Sequence, residues 1–176
     1  MPLSKLGKVS IDRIRAVAMD VDGVLTDGGV WWGPDGQEWK RFCFADIMGV
    51  SLGRRAGLAL ALISGENSPL VDRYASKLQI DYVEKGCRDK AAALHRFVAA
   101  TQIDVTEVAF IGDDVNDLPA MTIAGFSAAP ANAIPEVLAY VDLVCTNSGG
   151  NGAVREFMDA WLASRNLSPL EIFTGS

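Results

Sequence analysis

Apolar and polar positions along the chain follow two alternating patterns. Short runs that are apolar on both faces predict buried strands of a parallel sheet, and they lie at 16–21, 58–63, 80–83, 108–111, 125–128 and 141–145. Between them, helical patterns lie near 46–56, 67–79, 89–101, 115–123, 133–139 and 152–164. Alternation of strand and helix predicts an α/β fold, a three-layer, doubly wound and mostly parallel sheet.

One segment interrupts this alternation after the first strand. Residues 28–32 and 37–42 flank Gly-Pro-Asp-Gly at 33–36, a strong turn signal, and predict a β-hairpin inserted at about 28–42. The hairpin carries Trp31, Trp32 and Trp39, three of the four tryptophans. Because an isolated hairpin is marginally stable in water, we expect these rings to be buried against another subunit. Packing on the chain's own domain is the alternative.

Length and composition favour a single domain spanning 1–176. Hydrophobic residues make up 49% of the 176 residues and charged residues 22%, which excludes a disordered chain. No apolar run reaches the roughly 18–20 residues of a membrane-spanning helix. Residues 1–15 also lack the apolar stretch of a signal peptide. We therefore expect a cytoplasmic protein that does not bind membranes.

Charge and rare residues narrow the chemistry further. A net charge of −6 argues against nucleic acid as a partner, so an anionic substrate would need local cations or a metal. Cys43, Cys87 and Cys145 are scattered without metal-site spacing, and we expect reduced thiols. Since His95 is the only histidine, acid–base chemistry must rest on carboxylates, lysine or tyrosine.

Chemically active side chains cluster where the predicted strands end. Ligands of an open parallel sheet bind beyond the carboxyl ends of its strands. Four segments reach that edge: Asp20-Val21-Asp22-Gly23, Ser64-Gly65-Glu66, Arg88-Asp89-Lys90, and Gly-Asp-Asp-Val-Asn-Asp at 112–117. The sequence thus predicts carboxylates, a hydroxyl and an ammonium at one place.

Each of these signals also has a purely structural explanation. Asp22-Gly23 suits a turn, the aspartates of 112–117 suit helix capping, and Ser64-Gly65 suits an ordinary loop. Lys90 could be a surface lysine, although a cation at a helix start opposes the macrodipole at a cost of about 0.3–1 kcal/mol. Two carboxylates about 5 Å apart repel by roughly 3 kcal/mol at an effective dielectric of about 20, so the acidic cluster indicates a bound cation.

The four segments together resemble the motifs of the haloacid dehalogenase phosphatases. Asp-Val-Asp-Gly-Val-Leu-Thr-Asp-Gly at 20–28 resembles the first motif, and Ser64, Lys90 and 112–117 match the second to fourth in order. The resemblance covers 14–161 and implies a Rossmann-like fold without a cap domain. The hairpin and Gly-Gly-Asn-Gly-Ala-Val-Arg-Glu-Phe at 149–157 resemble the branch of the 3-deoxy-D-manno-octulosonate (KDO) 8-phosphate and nonulosonate (KDN) 9-phosphate phosphatases.

This resemblance implies a function and a set of roles. The expected enzyme is a magnesium-dependent phosphomonoesterase of lipopolysaccharide or sialic acid biosynthesis, a homotetramer whose subunits complete each other's sites. Asp20 would be the nucleophile that forms an aspartyl-phosphate, and Asp22 the general acid and base. The remaining roles are Mg²⁺ binding by Asp20, the Asp22 carbonyl and Asp113, supported by Asp114 and Asp117, and phosphate or substrate binding by Lys90, Ser64, Gly65, Glu66 and Thr26.

The chain departs from the octulosonate pattern at three positions. Glu66, Ala45 and Asn151 stand where octulosonate phosphatases usually have arginine, and Glu66 resembles the nonulosonate enzymes. Arg73 and Lys77 share one helical face and are candidates for binding the carboxylate of the substrate, with a solvated basic face as the alternative. These departures put the substrate, rather than the chemistry, in question.

Two other functions compete with this interpretation. One is the same chemistry on another small sugar phosphate. The other is a non-catalytic oligomerisation module, similar to the C-terminal domain of animal CMP-sialate synthetases, in which the nucleophile is commonly lost. The presence of both Asp20 and Asp22 favours an enzyme.

Overall fold

The computed structural model describes residues 9–175. Their strands are β1 Ala16–Met19, β2 Trp31–Trp32, β3 Glu38–Trp39, β4 Ala59–Ile63, β5 Tyr82–Glu84, β6 Val108–Ile111, β7 Phe126–Ala129 and β8 Leu143–Val144. Their α-helices are α1 Phe44–Arg55, α2 Pro69–Leu78, α3 Lys90–Thr101, α4 Leu118–Ile123, α5 Pro135–Leu138, α6 Ala153–Ser164 and α7 Pro169–Thr174. Part of the segment on which the signal-peptide prediction rests, residues 1–8, lies outside the described range, as does Ser176.

One parallel sheet organises the described chain. Its strand order is β5-β4-β1-β6-β7-β8, and every neighbouring pair is parallel. From β1 the chain first builds outward through β4 and β5, then returns to the other side of β1 with β6. The switch point of the sheet therefore lies between β1 and β6, where a doubly wound sheet opens a crevice at its carboxyl edge. The predicted fold class is confirmed.

Alternate residues of each central strand feed two separate cores. Val17 and Met19 pack with α1, α2 and α6, whereas Ala16 and Ala18 pack with α3, α4 and α5. Both faces are buried because a helix layer covers each, which is why these strands read as continuous apolar runs. The largest side chain of the first core, Trp161, is 1% exposed and donates its indole N–H to the Ile14 carbonyl at 2.9 Å.

Several predicted boundaries were wrong in detail. The first strand ends at Met19 rather than at residue 21, because the backbone then turns and Leu25 and Thr26 both donate to the Val21 carbonyl. The last strand holds Leu143–Val144 alone. Helix α7 was not predicted, although Ser168 caps its start and Pro169 follows. The same Ser-Pro signal begins α2 at Ser68, so the sequence did contain the information.

The hairpin forms and leaves its aromatic rings in solvent. Strands β2 and β3 pair antiparallel, with Trp31 opposite Trp39 and Trp32 opposite Glu38. Trp31 is 52% exposed, Trp32 72% and Trp39 51%, so packing on the chain's own domain does not bury them. Among residues 9–175, no helix is long and apolar enough to cross a membrane.

Candidate active site

The first site segment leaves the sheet at the end of β1. Asp20 continues the ladder by donating its backbone N–H to the Ile111 carbonyl of β6 at 2.9 Å, and the residue is 5% exposed. The turn that follows depends on Gly23, which has φ +88°. A Cβ at Gly23 would lie 2.1 Å from Oδ2 of Asp113, so only glycine lets the β1 loop approach the β6 loop this closely.

Thr26 lies beneath this turn rather than beside the site. Its side chain is fully buried, and its hydroxyl oxygen accepts the N–H groups of Gly23 at 3.2 Å and Gly28 at 3.3 Å. The threonine therefore holds the shape of the loop. Its predicted contact with substrate has no support in this arrangement.

The loop after β6 is built around Asp117. One of its carboxylate oxygens, Oδ2, accepts the backbone N–H groups of Asp113 at 2.9 Å and Asp114 at 3.2 Å. The other, Oδ1, lies 2.6 Å from Nζ of Lys90. Asp117 is fully buried and its oxygens are shared between the loop and the lysine, so it orients both. Asp114 instead accepts the N–H of Val115 at 2.6 Å.

Lys90 is the first residue of α3 and points into the site. Asp89 caps the helix by accepting the N–H of Ala92 at 2.9 Å, which places the lysine at the carboxyl edge of the sheet. Its Nζ lies 2.9 Å from Oδ1 of Asp20 as well as 2.6 Å from Asp117, and its side chain is inaccessible to solvent. Although burial lowers the pKa of Lys90, the charges of Asp20 and Asp117 raise it overall, so the ammonium is retained.

Three carboxylates converge beside this lysine. Ligand oxygens of Asp20, Asp113 and Asp117 all lie within 4.8 Å of one another. Burial raises the pKa of Asp20 to about 7, and repulsion from Asp117 adds to the rise while Lys90 opposes it. Burial likewise raises the pKa of Asp113 to about 7, with repulsion from Asp20 adding to it. One lysine does not balance this much negative charge.

A divalent cation fits these donors. Oδ1 of Asp113 is buried and has no hydrogen-bond partner among residues 9–175, so one oxygen is left for a ligand. A hard cation such as Mg²⁺ prefers one or two carboxylates together with waters and phosphate oxygens. The donor set therefore matches the predicted Mg²⁺, with carboxylate oxygens offered by Asp20 and Asp113.

A cavity opens directly onto this cluster. It has a volume of about 190 Å³ and is lined by Asp20, Asp22, Gly65, Glu66, Asp113, Asp114 and Asn116. Ser64 directly follows β4 and is buried, and its hydroxyl oxygen accepts the N–H of Glu66 at 3.1 Å. The structure thus brings the four predicted segments together. Asn116 was not among the predicted site residues, although it lies inside the fourth motif.

A larger cavity of about 620 Å³ adjoins the first through Glu66. Its lining includes Glu66, Ser68, Arg73, Glu38 and Trp39. Of the two basic residues predicted to bind the substrate carboxylate, Arg73 therefore lines the same cavity as Glu66. Lys77 lies farther along α2, in a separate cavity of about 260 Å³ that Arg73 also lines.

Ala45 and Asn151 are the other two positions at which octulosonate phosphatases usually have arginine. They lie together, in a different cavity from Glu66. Ala45 and Asn151 both line a cavity of about 520 Å³, with Arg155 and Glu156. The structure therefore separates Glu66, at the mouth of the acidic site, from Ala45 and Asn151.

Lys40 is a site residue that the sequence did not single out. Its Nζ lies 2.7 Å from Oδ1 of Asp22 and 3.5 Å from Oε1 of Glu38, and its side chain is 6% exposed. Strand alternation was an available signal, since the strand predicted at 37–42 places Glu38 and Lys40 on one side and Trp39 on the other. The partner, Asp22, could be found only from the folded hairpin.

Comparisons with known proteins agree with this geometry. A model of the haloacid dehalogenase-like hydrolases matches residues 68–158. The 3-deoxy-D-manno-octulosonate 8-phosphate phosphatase KdsC of Yersinia pestis is 37% identical over 154 residues, 88% of this chain and 82% of that relative.

Solved structures extend the agreement. The 3-deoxy-D-manno-octulosonate 8-phosphate phosphatase of Moraxella catarrhalis, in complex with magnesium ion, phosphate ion and KDO, is 37% identical to this chain. The two structures have a TM-score of 0.89, and the match covers 94% of this chain and 95% of that one. The cobalt-bound octulosonate phosphatase of Haemophilus influenzae is 35% identical, with a TM-score of 0.86 and coverage of 89% and 91%. These findings confirm the family resemblance drawn from the four motifs.

Proposed function

Because this chain belongs to the haloacid dehalogenase-like hydrolase family, we propose that it hydrolyses 3-deoxy-D-manno-octulosonate 8-phosphate to the free sugar acid and inorganic phosphate. Family membership confirms the predicted enzyme class, a phosphoric monoester hydrolase. The observation that carries the proposal is the buried Lys90, which joins Asp20 and Asp117 beside the cavity. The relatives named for this activity and the magnesium-bound neighbour support the substrate and the metal.

Asp20 is proposed as the nucleophile. One of its oxygens forms a bond to phosphorus while the bond from phosphorus to the sugar oxygen breaks. Lys90 holds Oδ1 of Asp20 at 2.9 Å and places its positive charge where the phosphoryl oxygens arrive. The hydroxyl of Ser64 and the backbone N–H of Gly65 are proposed to bind those oxygens as well.

Asp22 is proposed as the acid and base. It lines the same cavity as Asp20 and gives its proton to the departing sugar oxygen. It then takes a proton from the water that attacks the phosphoryl group, which restores Asp20 and releases inorganic phosphate. Both carboxylates therefore end the cycle as they began it.

Asp20, Asp113 and the backbone carbonyl of Asp22 would hold Mg²⁺, supported by Asp114 and Asp117. When bound, the ion neutralises negative charge on the transferring group and on the carboxylates around it. This neutralisation is also how a chain of net charge −6 can accept an anionic substrate.

Assembly and location belong to the same proposal. The three exposed tryptophans of the hairpin support a homotetramer in which a neighbouring subunit covers them. A subunit placed there would also close the cavity that Trp39 and Arg73 line, where the substrate carboxylate is proposed to bind Arg73. The three free cysteines support a reducing, cytoplasmic location.

A nonulosonate 9-phosphate is the second candidate substrate. The observation that favours it is Glu66, a carboxylate at the mouth shared by the two cavities. An acidic side chain there can accept hydrogen bonds from sugar hydroxyls, but it repels a substrate carboxylate. Because both sugar acids carry a carboxylate, Glu66 favours the nonulosonate only through hydrogen bonds to its hydroxyls.

Steady-state kinetics with three classes of substrate test the proposal. We expect the highest kcat/KM on the octulosonate 8-phosphate, a lower value on nonulosonate 9-phosphates, and much lower values on hexose phosphates. A higher value on a nonulosonate ester would transfer the assignment to the second candidate, and the Glu66→Arg variant should then shift the preference back. Absence of phosphate release from every ester would instead favour the non-catalytic module.

A further inference from the structure

The two oxygens of Asp22 have different surroundings. Oδ1 lies 2.7 Å from Nζ of Lys40. Oδ2 is buried and has no hydrogen-bond partner among residues 9–175. Since Asp22 lines the cavity beside Asp20, one of its oxygens is anchored and the other is left available.

Lys40 is itself held in place. Its side chain is 6% exposed, and its second contact is Oε1 of Glu38 at 3.5 Å. Glu38 also accepts the hydroxyl of Ser68 at 3.0 Å and the indole N–H of Trp32 at 3.3 Å. A glutamate with three partners on two elements has little freedom, so the lysine between Glu38 and Asp22 has little freedom either.

This arrangement differs from an ordinary surface ion pair. Exposed pairs contribute little because both side chains are mobile and solvated. Lys40 is almost inaccessible and reaches from the end of the hairpin to the loop that follows β1. It is also separate from the cation of the acidic cluster, since Lys90 contacts Asp20 and Asp117. Asp20 and Asp22 therefore pair with two different lysines.

We propose that Lys40 is a positioning residue for the reaction, which fixes Asp22 through Oδ1 so that Oδ2 faces the ester oxygen. Glu38 holds Lys40 in the orientation that this requires. The inference rests on the proposed function in one respect, namely that Asp22 transfers the proton. It adds that the hairpin is part of the catalytic geometry as well as a surface for assembly.

The proposal predicts that the effect of removing Lys40 depends on the leaving group of the ester. An alkoxide leaves a phosphate ester only with a proton from Asp22, whereas 4-nitrophenolate leaves without one. If Lys40 acts by placing Oδ2, its loss should slow the release of a sugar or another alkoxide far more than the release of 4-nitrophenolate. A general loss of folding would slow both alike.

The test compares Lys40→Met, Lys40→Arg and wild type on the two kinds of ester. We expect Lys40→Met to lower kcat/KM about 10- to 100-fold on the best alkyl phosphate and less than about 3-fold on 4-nitrophenyl phosphate, because general acid catalysis contributes about 10²–10⁴-fold. Lys40→Arg should recover part of the loss, and Glu38→Gln should show a smaller loss of the same kind. An equal loss on both esters, or no loss, would overturn the proposal.

Arg15→Met is the matched control. Like Lys40→Met, it removes the cation of one ion pair, since the guanidinium of Arg15 lies 3.1 Å from the carboxylate of Glu107. Arg15 directly precedes β1. The Arg15→Met substitution should leave both rates unchanged. The proposed function is judged separately, by the turnover of the octulosonate ester by wild type.

A readout independent of turnover is the crystal structure of Lys40→Met. The carboxylate of Asp22 should adopt a new orientation or more than one, while Asp20 and Lys90 keep theirs. An Asp22 carboxylate that stays in its original place would overturn the positioning role even if the enzyme proved to act on another substrate.

Discussion

The carboxyl edge of the sheet buries charge, whereas the hairpin exposes apolar rings. At the edge, Lys90 and Asp117 are inaccessible and pair with each other at 2.6 Å. In the hairpin, Trp32 is 72% exposed. Buried charge and exposed large apolar surface are the two departures from ordinary burial that carry information about function. Within one chain the first region leaves negative charge unbalanced, and the second leaves its rings in solvent.

The difference lies in what completes each region. Carboxylates crowded within 4.8 Å need positive charge, which a small ion supplies at the scale of a few ångströms. The three rings are large apolar surfaces, which the neighbouring subunit of the proposed tetramer would cover. Substitutions at the edge should therefore act on chemistry, and substitutions of the hairpin tryptophans should act first on assembly.

The largest effect is expected at the nucleophile. Asp20→Asn keeps the shape of the side chain and removes the reacting charge, so phosphate release should fall by about 10⁴-fold or more. Circular dichroism should show the fold intact, and Asp12→Asn, an exposed aspartate before β1, should leave the rate unchanged. Retained turnover in Asp20→Asn would contradict a covalent mechanism.

The second-largest effect is expected at Asp113, where one substitution should lower activity and raise stability. Asp113→Asn should reduce activity strongly, since it removes a ligand charge. In EDTA above about pH 7, where Asp113 with its raised pKa of about 7 is ionised, the variant should melt higher than wild type, because each pair of charges at this spacing repels by about 3 kcal/mol at an effective dielectric of about 20. Each kcal/mol relieved corresponds to roughly 2–4 °C for a chain of this size.

Excess Mg²⁺ should reverse that order of melting temperatures. Wild type gains stability by binding the ion, whereas Asp113→Asn binds it less well. Thermal melts in EDTA and in Mg²⁺ measure both states. If the variant melted lower than wild type in EDTA as well, the raised pKa of Asp113 would not reflect a cluster that needs a cation.

The smallest effect on the free energy of unfolding is expected for substitutions in the hairpin. Trp161, the tryptophan outside the hairpin, is the contrasting case. Trp161→Ala should lower the free energy of unfolding by about 3–5 kcal/mol, because it empties a fully packed site in the core. Trp31→Ser with Trp32→Ser should change the stability of an isolated subunit by less than about 0.5 kcal/mol, since these rings pack on little within the chain. Urea unfolding at low protein concentration measures both.

The hairpin variant should differ from wild type in mass instead. Light scattering should give a tetramer for wild type and a smaller species for the double variant. An unchanged mass would remove the hairpin from the interface, and the exposed rings would then need another partner.

Most of the fold and much of the site were accessible from sequence. The apolar runs identified every strand of the sheet because both of its faces are buried, and the ends of those runs identified Asp20, Ser64 and Asp113. Boundaries were less accurate, since turns such as the one around Gly23 are decided by contact with Asp113 from another loop. Lys90 looked locally unfavourable at a helix start, and only its two carboxylate partners explain it.

By itself the sequence determined the doubly wound sheet, the order of the four motifs and the edge at which they meet, because periodicity and strand ends are local properties of the chain. Tertiary structure alone decided which groups touch. It gave Asp22 a lysine from the hairpin, assigned Thr26 to the turn beneath the site, and left three tryptophans exposed. The Lys40–Asp22 contact joins two separate elements, and the burial of Thr26 and the exposure of the tryptophans follow from how the whole chain packs.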